Sequence, residues 1–370
     1  MATVADLMAY FSRFAPPATA AIWDNVGLLI GDTAGPANRI LTCLTITPSV
    51  VAEAVAENVD AIVSHHPVLF RAVKTLSSQT SEGRLLLPLL RAGIAVYSPH
   101  TAFDDCRSGI NDDLCERLGL IDFTPLRTAS PSEFGEYKLV VFVPESDLAT
   151  VADALFAAGA GKIGNYEHCS FRTPGTGTFF GNDAAKPAIG QRGQREDVAE
   201  FRLEVIVPKS RIERVVAALR QSHRYEEPAY DLYPLHNPNG TGTGRVGKLS
   251  VPQTLASLAQ FTAKALSASM VQIVGSPERR IARVAIACGA AGEYLPDAIR
   301  ENADVFLTGE VRFHDALSAE AANIALILPG HYATERPAIE MLATRLQTEF
   351  PASKVWASQR ERDPLQVVHK

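Results

Sequence analysis

Nine histidines are spread over 370 residues, and five of them (His65, His66, His100, His314 and His331) stand directly or a few residues after an apolar run of strand type. Imidazole suits first-row divalent metals and titrates near neutral pH, so the grouping points to metal binding and proton transfer. Two of the five open the same spacing: His100-Thr-Ala-Phe-Asp104 and His331-Tyr-Ala-Thr-Glu335 both read His-x-x-x-carboxylate. His65 and His66 are adjacent and precede Pro67, which stops a strand ladder. Neighbouring side chains on an extended backbone diverge, so this pair is better disposed to serve two ions than to chelate one. Two ions about 3.5–4 Å apart, bridged by a carboxylate, are the arrangement of two-metal hydrolases.

Each motif also has a local reading. His-x-x-x-Glu arises by chance on helices, His-His pairs occur in surface loops, and Thr334 could N-cap a helix over 335–349 with Glu335 in its first turn. Taken together, four strand ends send ligand-type side chains to one rim, and open α/β sheets bind ligands beyond the carboxyl ends of their strands. His168, His223, His236 and His369 are read as structural or solvated.

The elements that must position these residues come as an echo. Leu41–Ile46 reads as a strand, Pro48–Asn58 as a helix and Ala61–Ser64 as a strand ending at His65; Arg283–Cys288, Tyr294–Asn302 and Val305–Thr308 repeat that order. The stretches ENVDAIVS (57–64) and ENADVFLT (301–308) align without a gap, and each half continues into a helix and a further strand, Ile94–Tyr97 and Ile324–Leu328. The expected fold is therefore α/β, a core of two related α/β halves with mostly parallel sheets. Two turn-rich stretches, Arg127–Gly135 and His236–Gly244, bracket an insertion. Inside it a strand and a helix recur at an offset of 64 residues, Tyr137–Pro144 and Phe201–Pro208 being the strands, which predicts a ferredoxin-like α+β domain. The Gly-rich run 159–181 between the copies reads as turns and hairpins, with a ligand loop as the other possibility. The domains are placed at 1–128, 133–236 and 245–370.

A formal net charge of -6 and the absence of a Lys/Arg-rich run disfavour nucleic acid as a partner. Five scattered cysteines without a Cys-x-x-Cys pair suggest neither a disulfide framework nor a zinc-thiolate site. No apolar run approaches a membrane span, and the first 14 residues look like an amphipathic helix rather than a signal peptide. A cytoplasmic protein without membrane contact is expected.

The motifs WDNVGLLIG (23–31), SHHP (64–67), HTAFDDCRSGIND (100–112), TGEVRFHDA (308–316) and GHYATE (330–335) occur in the order found in the Nif-three-like dinuclear-metal proteins, which are labelled GTP cyclohydrolase I type 2 homologues. The chain resembles that family over nearly its whole length. Its middle, with GNYEHCSF (164–171), GTGTF (175–179) and HRYEEPAYDLYPL (223–235), is similar to the PII-like insertion of the longer members. The resemblance implies that His65, His66, Asp104, His331 and Glu335 bind two divalent ions per subunit. His100 and His314 would then lie beside them as acid/base groups, Glu310 could join them, and the subunits would form a homohexamer. Ala102 and Phe103 stand where the family more usually has Asn-Leu, a change confined to the lining. Mixed imidazole and carboxylate ligands admit zinc, iron, manganese, cobalt or nickel. Asp24 and Asn25 could reach the site, whereas Leu28–Ile30 reads as core.

Two functions follow as expectations. One is hydrolysis of a nucleotide or other phosphorylated small molecule, although neither GxxxxGK[ST] nor GxGxxG is present. The other is a non-catalytic metal-binding or regulatory assembly whose insertion senses a small ligand.

Overall fold

In the computed structural model, residues 1–128, 136–164, 166–235 and 241–368 are described. Most of both turn-rich stretches, 129–135 and 236–240, lies outside them, as do His236 and His369. The chain divides into two compact units, one of Met1–Thr128 with Asn239–Lys370 and one of Ala129–Pro238.

The first half of the larger unit runs α1 (Val4–Phe14), β1 (Gly27–Ile30), β2 (Arg39–Cys43), α2 (Pro48–Ala56) and β3 (Ala61–Ser64). It continues through α3 (Ser81–Ala92), β4 (Ala95–Ser98), α4 (His100–Asp105), α5 (Ile110–Arg117) and β5 (Leu120–Thr128). The smaller unit follows as β6 (Glu136–Pro144), α6 (Leu148–Ala157), β7 (Ser170–Phe180), β8 (Arg195–Pro208), α7 (Ile212–Ser222) and β9 (Tyr230–Pro234). The larger unit resumes with β10 (Gly242–Thr254), α8 (Leu255–Ala265), β11 (Gln272–Val274), β12 (Arg280–Ala287) and α9 (Leu295–Arg300). It closes with β13 (Val305–Thr308), α10 (Phe313–Ala321), β14 (Ala325–Leu328), α11 (His331–Glu349) and β15 (Lys354–Ala357).

Two sheets form the larger unit. The first, in order β1-β4-β3-β2-β15, is parallel except for β1. Its central strands are buried on both faces: Ile40, Val63 and Tyr97 look into one apolar cluster, and Leu41, Ile62 and Val96 into another with α2 and α3. That double covering is why these strands read as continuous apolar runs rather than alternating ones. Leu28–Ile30, expected as core, form an edge strand that is half-buried throughout.

The second sheet, β11-β14-β13-β12-β10-β5, departs from the mostly parallel expectation. Only β12–β13 and β13–β14 are parallel; β11, β10 and β5 are antiparallel to their neighbours. The reason is the insertion: β5 leads into it and β10 leads out, so the two pair as hairpin arms. Thr128 sits opposite Gly242 and Arg127 opposite Thr243, so residues expected in linkers belong to strands.

The halves share one pattern of hydrogen bonds around the starts of β2 and β12. Arg39 donates through Nε to the Glu57 carbonyl at 2.8 Å and through Nη2 to its carboxylate at 3.1 Å; Arg283 does the same to Glu301 at 2.7 and 3.1 Å. Asp60 accepts the backbone N–H groups of Asn38 and Arg39, and Asp304 those of Ala282 and Arg283. Each carboxylate thus fastens the start of one strand to the turn before the next, setting the register that brings the strand ends level.

In the smaller unit the order β7-β8-β6-β9 is antiparallel at every pairing, and the chain order β-α-β-β-α-β is that of a ferredoxin-like unit. Its core joins α6 and α7 to one sheet face through Leu139, Val141, Val151, Leu155, Leu203 and Leu219. The second part of the Gly-rich run is the long edge strand β7. His168 stacks on Phe156 at 4.8 Å, and buried His223 lies with Nε2 3.0 Å from the Phe142 carbonyl, both structural. All five cysteines are free, and no helix among the described residues is long and apolar enough to cross a membrane.

Candidate metal centre

β3 ends at Ser64, but its ladder runs on: the backbone N–H groups of His65 and His66 donate to the carbonyls of Cys43 and Leu44 at 2.9 and 2.8 Å. Both imidazoles are therefore held at the carboxyl rim of the sheet. β4 and β14 each run almost directly into a helix, and these helices carry the two His-x-x-x-carboxylate motifs. On a helix, residues four apart lie one above the other, so His100 with Asp104 and His331 with Glu335 each share a face. α11 begins at His331, with Gly330 at φ 102° as its cap; Thr334, expected as N-cap, sits one turn inside. Its hydroxyl instead accepts the Gly289 N–H at 3.0 Å, tying the helix to the end of β12. Glu335 accordingly lies in the second helical turn.

These residues converge on Glu335, which is buried. Its Oε2 lies 3.1 Å from Nε2 of both His66 and His331. Its Oε1 faces the other way, 4.0 Å from His65 Nε2, which is itself 3.6 Å from Asp104 Oδ1. Donors at about 2.0–2.1 Å from a tetrahedral ion stand about 3.3 Å apart, so this spacing suits ligands around cations. His66, His331 and Glu335 form one set of donors within 4.8 Å of one another, and His65, His66 and His100 a second. His65 supplies the independent test of fit. It is fully buried, yet neither ring nitrogen has a hydrogen-bond partner, an arrangement that costs free energy unless something else binds the ring.

The other imidazoles are oriented from behind. Nδ1 of His66 meets Thr45 Oγ1 at 2.7 Å, Nδ1 of His100 meets Asp24 Oδ1 at 2.7 Å, and Nδ1 of His331 meets Glu310 Oε1 at 3.0 Å. Each ring thereby presents Nε2 inward, the outer support that metal-binding histidines use. Asp24 also accepts from the Thr101 N–H and hydroxyl at 3.1 and 2.5 Å. Burial alone would raise its pKa, but these bonds outweigh it and hold the carboxyl at about 2. His100 keeps φ at +29°, a conformation non-glycine residues rarely adopt and one found where a side chain is fixed for a task. Asn25 turns away, donating to the Leu69 carbonyl. His314 lies exposed at the start of α10, beside Phe313, and belongs to neither donor set.

Sequence reading missed the floor of the site. Cys288 Sγ lies 3.3 Å from Asp104 Oδ1, and Asn111 spans from the Asp104 carbonyl to the Cys288 N–H. A Cβ at Gly289 would fall 2.3 Å from Glu335 Oε1, and one at Gly309 2.7 Å from the Gly289 carbonyl, so both positions require glycine. The missed signal was the strand-end rule itself: in the echo of Arg39 with Arg283, Thr45 and Gly289 fall at the same distance beyond β2 and β12.

Charge within the cluster is unevenly held. Burial drives His65 well below its ordinary pKa, opposed by Glu335 and reinforced by the other imidazoles, which leaves it neutral. Asp104 is pushed well up by burial and by the charges of Glu335 and Asp105. For Glu335, burial is outweighed by hydrogen bonds from His331 and His66, and it stays ionised. His331 is raised to about 9, chiefly by its bond to Glu335 against the opposing effect of burial. A cation held by Asp104 and His331 would need both deprotonated, so its uptake would expel protons. Metal affinity is expected to rise with pH up to about 9, by about tenfold per pH unit for each proton displaced. Calorimetric titration with zinc in buffers of different ionisation enthalpy measures the release, and equal heats in all buffers would contradict it.

Residues 2–364 match the family described as Duf34/NIF3 (NGG1p interacting factor 3). A relative from Halalkalibacterium halodurans named GTP cyclohydrolase 1 type 2 homolog is 37% identical over 362 residues, covering 97% of each chain. One of the same name from Bacillus subtilis is 39% identical over 329 residues, covering 89% of this chain and 88% of its own. A crystal structure of a Staphylococcus aureus protein superimposes with a TM-score of 0.81 at 30% identity, and one of a Bacillus cereus protein related to NIF3 with 0.71 at 32%; each covers 99% of both chains.

Proposed function

The chain belongs to the Duf34/NIF3 family, and from that premise we propose that it is a hydrolase dependent on two divalent metal ions, acting on a nucleotide or another phosphorylated small molecule. The observation that carries this reading is the division of Glu335, one oxygen toward His66 and His331 and the other toward His65, which in turn faces Asp104. His65, His66, Asp104, His331 and Glu335 would hold the ions, which when bound lower the pKa of a coordinated water and polarise a phosphoryl group.

The remaining chemistry belongs to the chain. With Nδ1–H donated to Asp24, His100 keeps its Nε2 lone pair toward the cluster, where it can take a proton from an attacking water and return it to the leaving group. Trp23 and Phe70, 61% and 49% exposed, flank His100 with ring centres 6.2 and 6.4 Å from it. Exposed aromatic faces beside a charged centre suit a flat base at one end and phosphate at the other. The relatives' name points to GTP, and GTP belongs in the test set.

The test is a screen of nucleotides and phosphoesters with the metal-free protein and the same protein reloaded with manganese or zinc. Turnover confined to the loaded protein and lost in Asp104→Ala is the expected result; verified loading with no turnover on any substrate defeats the reading. Within an active preparation, Asp24→Asn should lower kcat by about 10–100-fold while metal content stays unchanged, since the substitution removes the charge behind His100 and no donor to the ions. A fall in metal content parallel to kcat would place Asp24 elsewhere.

A further inference from the structure

The smaller unit has a cavity of about 620 Å³, within the range of small-molecule sites, on the sheet face away from α6 and α7. Its walls are largely apolar, with Phe142, Phe179 and Tyr225 among the residues lining it. Glu200, on β8, is a buried carboxylate in this wall. Tyr225 donates to its Oε1 at 2.8 Å, and Oε2 has no hydrogen-bond partner among the described residues. Two cations also line the cavity, and neither pairs with Glu200: Arg202 is turned to Glu204 at 2.8 Å, and Lys186 makes no ion pair with a carboxylate among the described residues.

Two glycines of β7 make room for this arrangement. Gly175 stands directly opposite Glu200 in the ladder, and a Cβ built on it would meet nothing within 4 Å. A Cβ on Gly177 would fall 2.0 Å from Glu200 Oε2, so the carboxylate lies where a side chain would otherwise be. A carboxylate lining an apolar cavity with one oxygen left open to it can pair there with a ligand that brings N–H donors or positive charge. Glu226 and Glu227, also lining the cavity, add the same sign of charge.

We propose that this cavity is a binding site for a small, flat organic cation whose nitrogen donors pair with Glu200 and whose ring packs among Phe142, Phe179 and Tyr225. The site is independent of the metal centre, and its failure would leave the hydrolase reading untouched. The test uses the full chain and three isosteric probes that differ in charge: benzamidine, benzamide and benzoate. Calorimetry or ligand-observed NMR should show saturable binding of benzamidine, weaker binding of benzamide and none of benzoate. Glu200→Gln should weaken benzamidine by about tenfold or more. Gly175→Leu, whose Cβ meets nothing within 4 Å, should abolish binding while far-UV circular dichroism and metal content stay as in the parent. No saturable binding of benzamidine, benzoate binding as well as benzamidine, or binding indifferent to both substitutions would overturn the proposal.

Discussion

Glu335→Gln is expected to leave the purified protein almost free of metal where the parent, reloaded and desalted, retains about two ions per chain. The substitution keeps the shape of the side chain and removes the charge that faces His66 and His331 through one oxygen and His65 through the other. In the parent, Oε2 faces two imidazoles at 3.1 Å and Oε1 faces His65. An amide offers one neutral oxygen and an NH2 group that repels a cation, so neither direction keeps a charged donor. Hydrolysis should fall by about a thousandfold, the scale of losing a main electrostatic contributor at a reacting centre. His331 should drop from about 9 toward its ordinary pKa, because its principal hydrogen bond partner has lost its charge. Elemental analysis alongside an NMR titration of the imidazoles reads both effects. Full retention of two ions by the variant would show that Glu335 is not shared between them.

Arg245→Met should cost about 3–5 kcal/mol of folding free energy, the scale of removing one partner from a buried ion pair. Arg245 is 1% exposed, and every group around it is committed. Nε pairs with Asp112; Nη1 donates to the carbonyls of Gly242 and Gly244 at 2.7 and 2.6 Å; Nη2 donates to those of Cys106 and Asp105 at 3.1 and 3.4 Å. Methionine fills similar space but leaves a buried carboxylate and four carbonyls without that donor. Urea unfolding measures the loss. Adding Asp112→Leu to the variant should restore part of it, since the orphaned charge is then gone. Because Asp105 and Cys106 close α4, the single variant should also loosen Asp104 and lower zinc affinity.

Where a strand is buried on both faces, its sequence is a short apolar run with clear ends, and β3 and β13 were legible to the residue at Ala61–Ser64 and Val305–Thr308. The strand-end rule likewise gathers His65, His66, His100 and His331, which the fold brings together, and fails for His314, which is exposed on α10. What failed was whatever depends on a distant partner. Gly242-Thr-Gly244 looks like a turn by composition, yet β5 pairs with it and makes it a strand. Thr334 has the residue type of an N-cap, but the helix begins earlier because Gly330 adopts a positive φ that frees His331 to be helical. Nothing in the sequence around Arg245 marks it as buried, because the carbonyls of Asp105 and Cys106 that help enclose it belong to a distant part of the chain. Cys288 and Gly289 carry no ligand signature, since their part is to touch or make room for Asp104 and Glu335.

The neighbour that completes the first half's sheet, β15 against β2, is made only after the insertion and the other elements of the second half. A ribosome releases this polypeptide from its N-terminal side, so the edge of β2 waits with unpaired N–H and C=O groups while most of the remaining chain is translated. His65, His66 and Asp104 are likewise synthesised long before His331 and Glu335. Any cation held by both groups could be captured only after His331 and Glu335 have emerged, and a product cut short before them would carry half of the donors and an adhesive sheet edge.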